Sequence, residues 1–137
     1  MPNDVFISNS RQDGDFAERL ARILHHQGIS AVSDQQIQHG ENWESAIRDA
    51  LGNAEAVLLV MSPDALNSPY VMLEVGAALA SHKPIIPILP PNRRIPRDVP
   101  QPIGELQVLR TDRLSDSEIA TSLHDSFEHL AAGGKLR

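Results

Sequence analysis

The sequence predicts an α/β domain built on a five-stranded parallel sheet of order 2-1-3-4-5, with helices covering both faces. Short β-rich apolar runs alternate with segments of helical periodicity from end to end. One run, "EAVLLVMS" (55–62), is apolar at both alternating sets of positions, as a central parallel strand buried on both sides must be. The length of 137 residues suits one domain with one core, and at that length this strand order is the economical doubly wound arrangement.

The first strand is "DVFIS" (4–8). The helix after it, "DGDFAERLARILHHQG", places Phe16, Leu20, Ile23 and Leu24 on one face, and Gly28 stands where a helix is ended by a left-handed glycine. "ISAVS" (29–33) is the second strand and leads into the polar loop "DQQIQHGEN". Trp43, Ala46, Ile47, Ala50 and Leu51 then mark a second amphipathic helix.

After the central third strand, "NSPYVMLEVGAALASH" (67–82) reads as a helix with Ser68 as its cap and Pro69 in the first helical position. The fourth strand, "PIIPILP" (84–90), contains prolines that suit it to a place nearer an edge. "PPNRRIPRDVPQPIG" has no periodicity and reads as a long loop, followed by a fifth strand, "ELQVLR" (105–110). Ser115 and Glu118 form a capping box for a last helix carrying Ile119, Leu123, Phe127 and Leu130. The domain is expected over 1–131, with 132–137 a flexible tail or the start of a linker.

In a flavodoxin-like sheet of this order, ligands sit at the carboxyl ends of the strands where the order reverses, between strands 1 and 3. The segments leaving those strands carry Ser8, Asn9, Ser10 and Arg11 on one side and the helix of Glu74 on the other. The polar quartet is either a ligand-binding turn or a turn that caps the next helix. Glu74 is the one acidic residue of an otherwise apolar helix, with Tyr70 one turn earlier. It is either a solvated or salt-bridged residue of an exposed stripe, or a carboxylate placed beside an aromatic ring at the crevice.

Composition narrows the function classes. Aromatics are only 4% against 41% apolar residues, so the core is aliphatic. No apolar run is long enough to span a bilayer and no basic-then-apolar leader opens the chain, so a soluble, cytoplasmic protein without a membrane partner is expected. A formal charge of −6 argues against direct nucleic-acid binding. Cysteine is absent, which excludes thiolate catalysis, and His124 and His129 lack the spacing of a helical zinc pair, so no metal site is expected. There is neither a G-x-G-x-x-G nor a G-x-S-x-G motif. Arg93, Arg94 and Arg97 form a basic cluster that is either a solvated loop or a phosphate or partner contact.

"DVFISNSRQDGDFAERLARILHHQGI", Asp34 with "GENWESAI", "LLVMSPDALNSPYVMLEVGAAL" and "KPIIPIL" together resemble a bacterial TIR (Toll/interleukin-1 receptor) domain over nearly the whole chain. The most specific part is a serine-proline, then serine, an aromatic and a Glu in an apolar setting. The resemblance places Glu74 at the catalytic glutamate of the family and Tyr70 where many members carry tryptophan. It makes Asp34 to Glu41 the BB loop, with Gly40 at its glycine and Ile37 as its apolar contact point. Asp34 is then a loop-fixing residue or simply a turn residue, and Trp43 packs at the helix start or shapes the BB loop. The sequence departs from many members at Asn9 and Ser10, where they hold an aromatic and a basic residue, and at Val32.

The resemblance implies cleavage of NAD between nicotinamide and ribose, with NAD as substrate and no separate cofactor. Substrate contacts would fall to Ser8, Asn9, Ser10, Arg11, Asp34 and Tyr70. It further implies a bacterial immune effector that self-associates through the BB loop and is joined to a sensor domain or partner. A non-catalytic TIR module acting through TIR–TIR contacts and a nucleoside 2-deoxyribosyltransferase-like enzyme are the alternatives.

Overall fold

The side chains of β1 (Asp4–Ser8) alternate between two cores, and the rest of the molecule is arranged around that division. The structure, a computed structural model, describes residues 4–33 and 42–131. Val5 and Ile7 enter one core; Phe6 enters the other. A 3-10 turn at Arg11–Asp13 leads into α1 (Gly14–His26). Then come β2 (Ser30–Ser33), α2 (Trp43–Asn53), β3 (Ala56–Val60), a one-turn α3 (Pro63–Leu66) and α4 (Pro69–Ala80). They are followed by β4 (Ile85–Leu89), a 3-10 turn at Ile103–Glu105, β5 (Leu109–Arg110) and α5 (Asp116–Ala131).

The sheet is parallel throughout, in the order β2-β1-β3-β4-β5, as the sequence predicts. Register is fixed by pairs such as Ser8 with Leu59 and Val57 with Ile85. On one face, Leu20, Leu24, Ile119, Leu123 and Phe127 of α1 and α5 pack on Val5, Ile7, Leu58, Val60, Ile86 and Ile88. On the other, Ile47, Leu51, Val71, Val75 and Ala78 of α2 and α4 pack on Phe6, Val57, Leu59 and Leu89. Each fully buried Leu, Ile or Phe is worth roughly 1.5–3 kcal/mol relative to exposure.

The punctuation follows the sequence closely. Gly28 takes a φ of 77°, where a side chain would be strained. Ser68 Oγ accepts from the Val71 N–H, with Pro69 in the first helical position. The capping box at α5 is closed in both directions: Ser115 N–H donates to Glu118 Oε1 at 3.0 Å, and Glu118 N–H to Ser115 Oγ at 3.1 Å. Donation from the Ser115 backbone N–H foremost, and from its side-chain hydroxyl after it, holds the Glu118 carboxyl below the ordinary carboxylate range. No helix among the described residues is long and apolar enough to cross a membrane.

One expectation needs correction, and one short element was not anticipated. The fifth strand, expected over 105–110, pairs only at Leu109 and Arg110. Ile103, Leu106 and Val108 instead lie over the core on the α2/α4 face, so their apolar spacing reflects packing and not pairing. The residues after β3 include α3, too short to register as a helical period. The fourth strand lies one place in from the edge, between β3 and the two-residue β5, as its prolines suggest. Met61 N–H donates to the Ile88 carbonyl and Val57 N–H to that of Pro84, so the even-numbered residues of this segment face β3. Pro87 therefore presents its donorless nitrogen to the side where β5 supplies only two residues. The loop residues Asp34, Ile37 and Gly40, and the tail 132–137, lie outside the described residues.

Candidate active site

Alternation along β1 decides where Ser8 points. Phe6 faces α2 and α4, so Ser8, two residues on, faces the same side at the carboxyl end of the strand. In α4 the buried positions are Val71, Glu74, Val75 and Ala78, a single inward stripe at helical spacing. Glu74 thus belongs to the core-facing stripe, which corrects the reading of it as a solvated residue. The two meet: Ser8 Oγ donates to Glu74 Oε1 at 2.6 Å, and both residues have no exposed surface. A buried carboxylate is costly unless hydrogen-bonded, and here Ser8 supplies a short bond of the charge-assisted kind.

The turn after β1 is equally enclosed. Asn9 and Ser10 are buried, and Asn9 Nδ2 donates to the Ser10 carbonyl at 2.8 Å. Among the described residues its Oδ1 is buried without a hydrogen-bond partner, an acceptor left open at the switch point of the sheet. Arg11 stands apart: it is exposed, with no ion pair among the described residues.

Two residues that sequence reading did not single out organise this turn. Asp13, buried, accepts on Oδ2 from Ser10 Oγ at 2.8 Å and from Ser62 Oγ at 2.5 Å. Ser62 also caps α3 by accepting from Ala65 N–H at 3.0 Å. One carboxylate oxygen therefore ties the segment leaving β1 to the segment leaving β3. The available signals were the Ser10-x-x-Asp13 spacing and the Ser62-Pro63 pair, which repeats the capping pattern of Ser68-Pro69.

Tyr70 lies at the margin. It is 44% exposed, and its ring meets Trp43 edge-on, with centroids 5.0 Å apart and planes at 78°. Trp43 thereby bridges the start of α2 to the start of α4. Beyond this pair, a groove of about 730 Å³ runs between the helices, lined by Trp43, Ile47, Leu51, Leu73 and Ala77 among others. Neither Ser8 nor Glu74 lines it, so it is not the space in front of the carboxylate.

The structure thus brings Ser8 and Glu74 into contact, encloses Asn9 and Ser10 beside them, and leaves Tyr70 and Arg11 at the surface. A buried carboxylate held by a hydroxyl, with no nucleophile–base pair beside it among the described residues, suits electrostatic stabilisation of a cationic centre better than acyl transfer.

The fold and sequence have clear counterparts. The TIR domain (TIR_2) family model matches residues 5–129. The TIR domain of the Toll-related receptor TRR-2 from Hydra magnipapillata is 26% identical, with a TM-score of 0.66 over 77% of this chain and 82% of that one. A CMP N-glycosidase from Clostridium botulinum, BcmB, is 20% identical, with a TM-score of 0.58 over 88% of this chain and 98% of that one. None of the curated proteins matches this chain. With the family pattern spanning the sheet from β1 to α5 and a TIR receptor domain superposing on it, the chain belongs to the TIR domain family.

Proposed function

We propose that this TIR domain cleaves NAD at the bond between nicotinamide and ribose, with Glu74 as the catalytic residue. The observation that carries the reading is the Ser8–Glu74 hydrogen bond, a buried carboxylate held by a hydroxyl where the sheet order reverses. The nicotinamide ring of NAD is cationic. As the C1′–N bond breaks, its electron pair neutralises the ring, and nicotinamide leaves without a general acid. Positive charge then develops on C1′ and the ribose ring oxygen. A carboxylate close to that centre stabilises it, more strongly in a site that excludes water. Water adds to C1′ and loses a proton, giving ADP-ribose; capture by a nitrogen of the adenine gives a cyclic product.

In this reading Ser8, Asn9, Ser10, Arg11, Asp34 and Tyr70 contact the substrate. The open Oδ1 of Asn9 is an acceptor for a ribose hydroxyl. Glu74 has no exposed surface, so atoms around it must move before a ribose can reach it. That burial supports a resting form whose site opens on self-assembly, with Ile37, Gly40 and Trp43 at the contact between domains. Such control fits a cytoplasmic immune effector coupled to a sensor.

The same burial equally suits a non-catalytic module that works through TIR–TIR contacts. Likeness to the clostridial enzyme is one of fold alone, so CMP enters the test as a control. Concentrated protein is incubated with NAD or CMP and the products separated by chromatography. Nicotinamide is expected from NAD with the parent chain and none with Glu74→Gln, a near-isosteric change that removes the charge. Equal turnover in the two proteins, with matching circular dichroism, would remove Glu74 from the chemistry. Absence of nicotinamide even at high concentration would leave the interaction-module reading, and release of cytosine from CMP would redirect the enzyme to nucleotides.

A further inference from the structure

The chain's charge is unevenly spread. Residues 90–113 hold five arginines (93, 94, 97, 110 and 113) against three acidic residues, in a protein with 12 basic and 18 acidic residues altogether. One of the three acids, Asp112, is already engaged, accepting from the Asn92 N–H. Two of the arginines, Arg97 and Arg110, line a cavity of about 460 Å³ between the carboxyl end of the β3–β5 half of the sheet and the segment that covers it. Among the described residues, neither guanidinium has a hydrogen bond or an ion pair, and both residues are exposed.

The rest of the lining is mostly apolar. Met61, directly after β3, packs with Ile103 in the α2/α4-side core, and Ile95, Val99, Leu106 and Val108 complete the walls. Gln101 adds one amide, its Nε2 lying 3.0 Å from where a side chain at Gly104 would begin. Neither Ser8 nor Glu74 contributes to the lining, so this space is separate from the candidate active site. The volume lies within the range of roughly 300–1,000 Å³ of small-molecule sites. Pro90, Pro91, Pro96, Pro100 and Pro102 stiffen the covering segment, which reduces the entropy lost on ordering it around a ligand.

We propose that this cavity is a second ligand site, for a small organic phosphate with an apolar or aromatic body, of mononucleotide size. The body lies on Ile95, Val99 and Val108, and the phosphate is gripped by the forks of Arg97 and Arg110. Guanidinium is suited to that task because its planar donors match phosphate oxygens pairwise. Two guanidiniums without carboxylate partners favour a dianion, and the acidic remainder of the surface makes this the region where an anion is least repelled.

The test is calorimetric titration of the full chain with AMP at low ionic strength, where exposed charges are least screened. One saturable site is expected, with adenosine at least tenfold weaker. Arg97→Gln/Arg110→Gln should weaken AMP by about tenfold or more, and circular dichroism should be unchanged because both side chains are exposed. Glu74→Gln should leave AMP binding as it is, which separates this site from the NAD reading whatever becomes of the latter. Equal AMP affinity in the parent and the double arginine variant overturns the proposal. So does the absence of AMP binding to the parent, or loss of binding in Glu74→Gln with retention in the arginine variant.

Discussion

The Ser8 hydroxyl and the Glu74 carboxylate meet at 2.6 Å from opposite sides of the crevice, one at the end of the first strand and the other on α4, both without exposed surface. The bond fixes which way the carboxylate faces. Its removal should therefore be felt both in stability and in any chemistry that uses Glu74. Ser8→Ala is expected to cost about 1.5–3 kcal/mol, the range for a hydrogen bond to a charged group. NAD turnover should fall by about tenfold or more, since roughly 1.4 kcal/mol corresponds to a factor of ten in rate. Denaturant unfolding and steady-state kinetics on the same preparation check both; an unchanged kcat would leave Ser8 a packing residue.

Asp13, buried in the turn after β1, should matter for integrity, because Ser10 and Ser62 both donate to its Oδ2. Asp13→Ala strands two buried hydroxyls and should destabilise by about 1–3 kcal/mol. Asp13→Asn, which keeps an acceptor oxygen, should cost less. Denaturation midpoints of the two variants decide it, and equal midpoints would show that the hydroxyls find other acceptors.

Tyr70 is half-exposed and leans on Trp43, so it can be replaced without opening a core cavity. Tyr70→Ala should raise the KM for NAD with little change in melting temperature, and Tyr70→Trp should be tolerated. A KM equal to the parent's in the alanine variant would limit the residue to packing.

Self-assembly predicts a concentration effect. Specific activity should rise with protein concentration or on a scaffold that clusters the domains. Gly40→Pro or a polar substitution of Ile37 should suppress that rise with Glu74 intact. Activity that stays flat over a wide range in a monomeric sample would count against a shared site.

The capping box predicts a pH dependence for α5. Glu118 has its carboxyl lowered in the folded state by bonds from Ser115, so its contribution is present above the unfolded carboxylate pKa and is lost as pH falls through the folded value. The stability difference between the parent and Glu118→Ala should shrink on acidification through that range. Ser115→Ala should cost about 1 kcal/mol at neutral pH, as loss of a cap does. Chemical denaturation at several pH values measures both.

Much of this could be read before any coordinates. The strand order followed from β-rich runs spaced by helical periods, and the caps at Gly28, Ser68 and Ser115 each took the predicted place. The short β5 did not, because Leu106 and Val108 have strand-like spacing yet spend it on covering a core face. Glu74 was ambiguous for a related reason: α4 is apolar nearly all round, so its inward stripe does not stand out until Val71, Val75 and Ala78 are seen to share it. The Asp13 link joins residues 49 apart in sequence, and no local pattern announces such a meeting.

The two-residue β5 has one further consequence, for behaviour at high concentration. Were it to detach in a local opening, the newly bared border of the sheet would be β4, a run of isoleucines and leucine that invites another chain to pair with it. Pro87 denies that intruder a backbone donor in the middle of the strand. In the proposed self-assembly, the domain would in this way be guarded against joining its neighbours by the wrong edge.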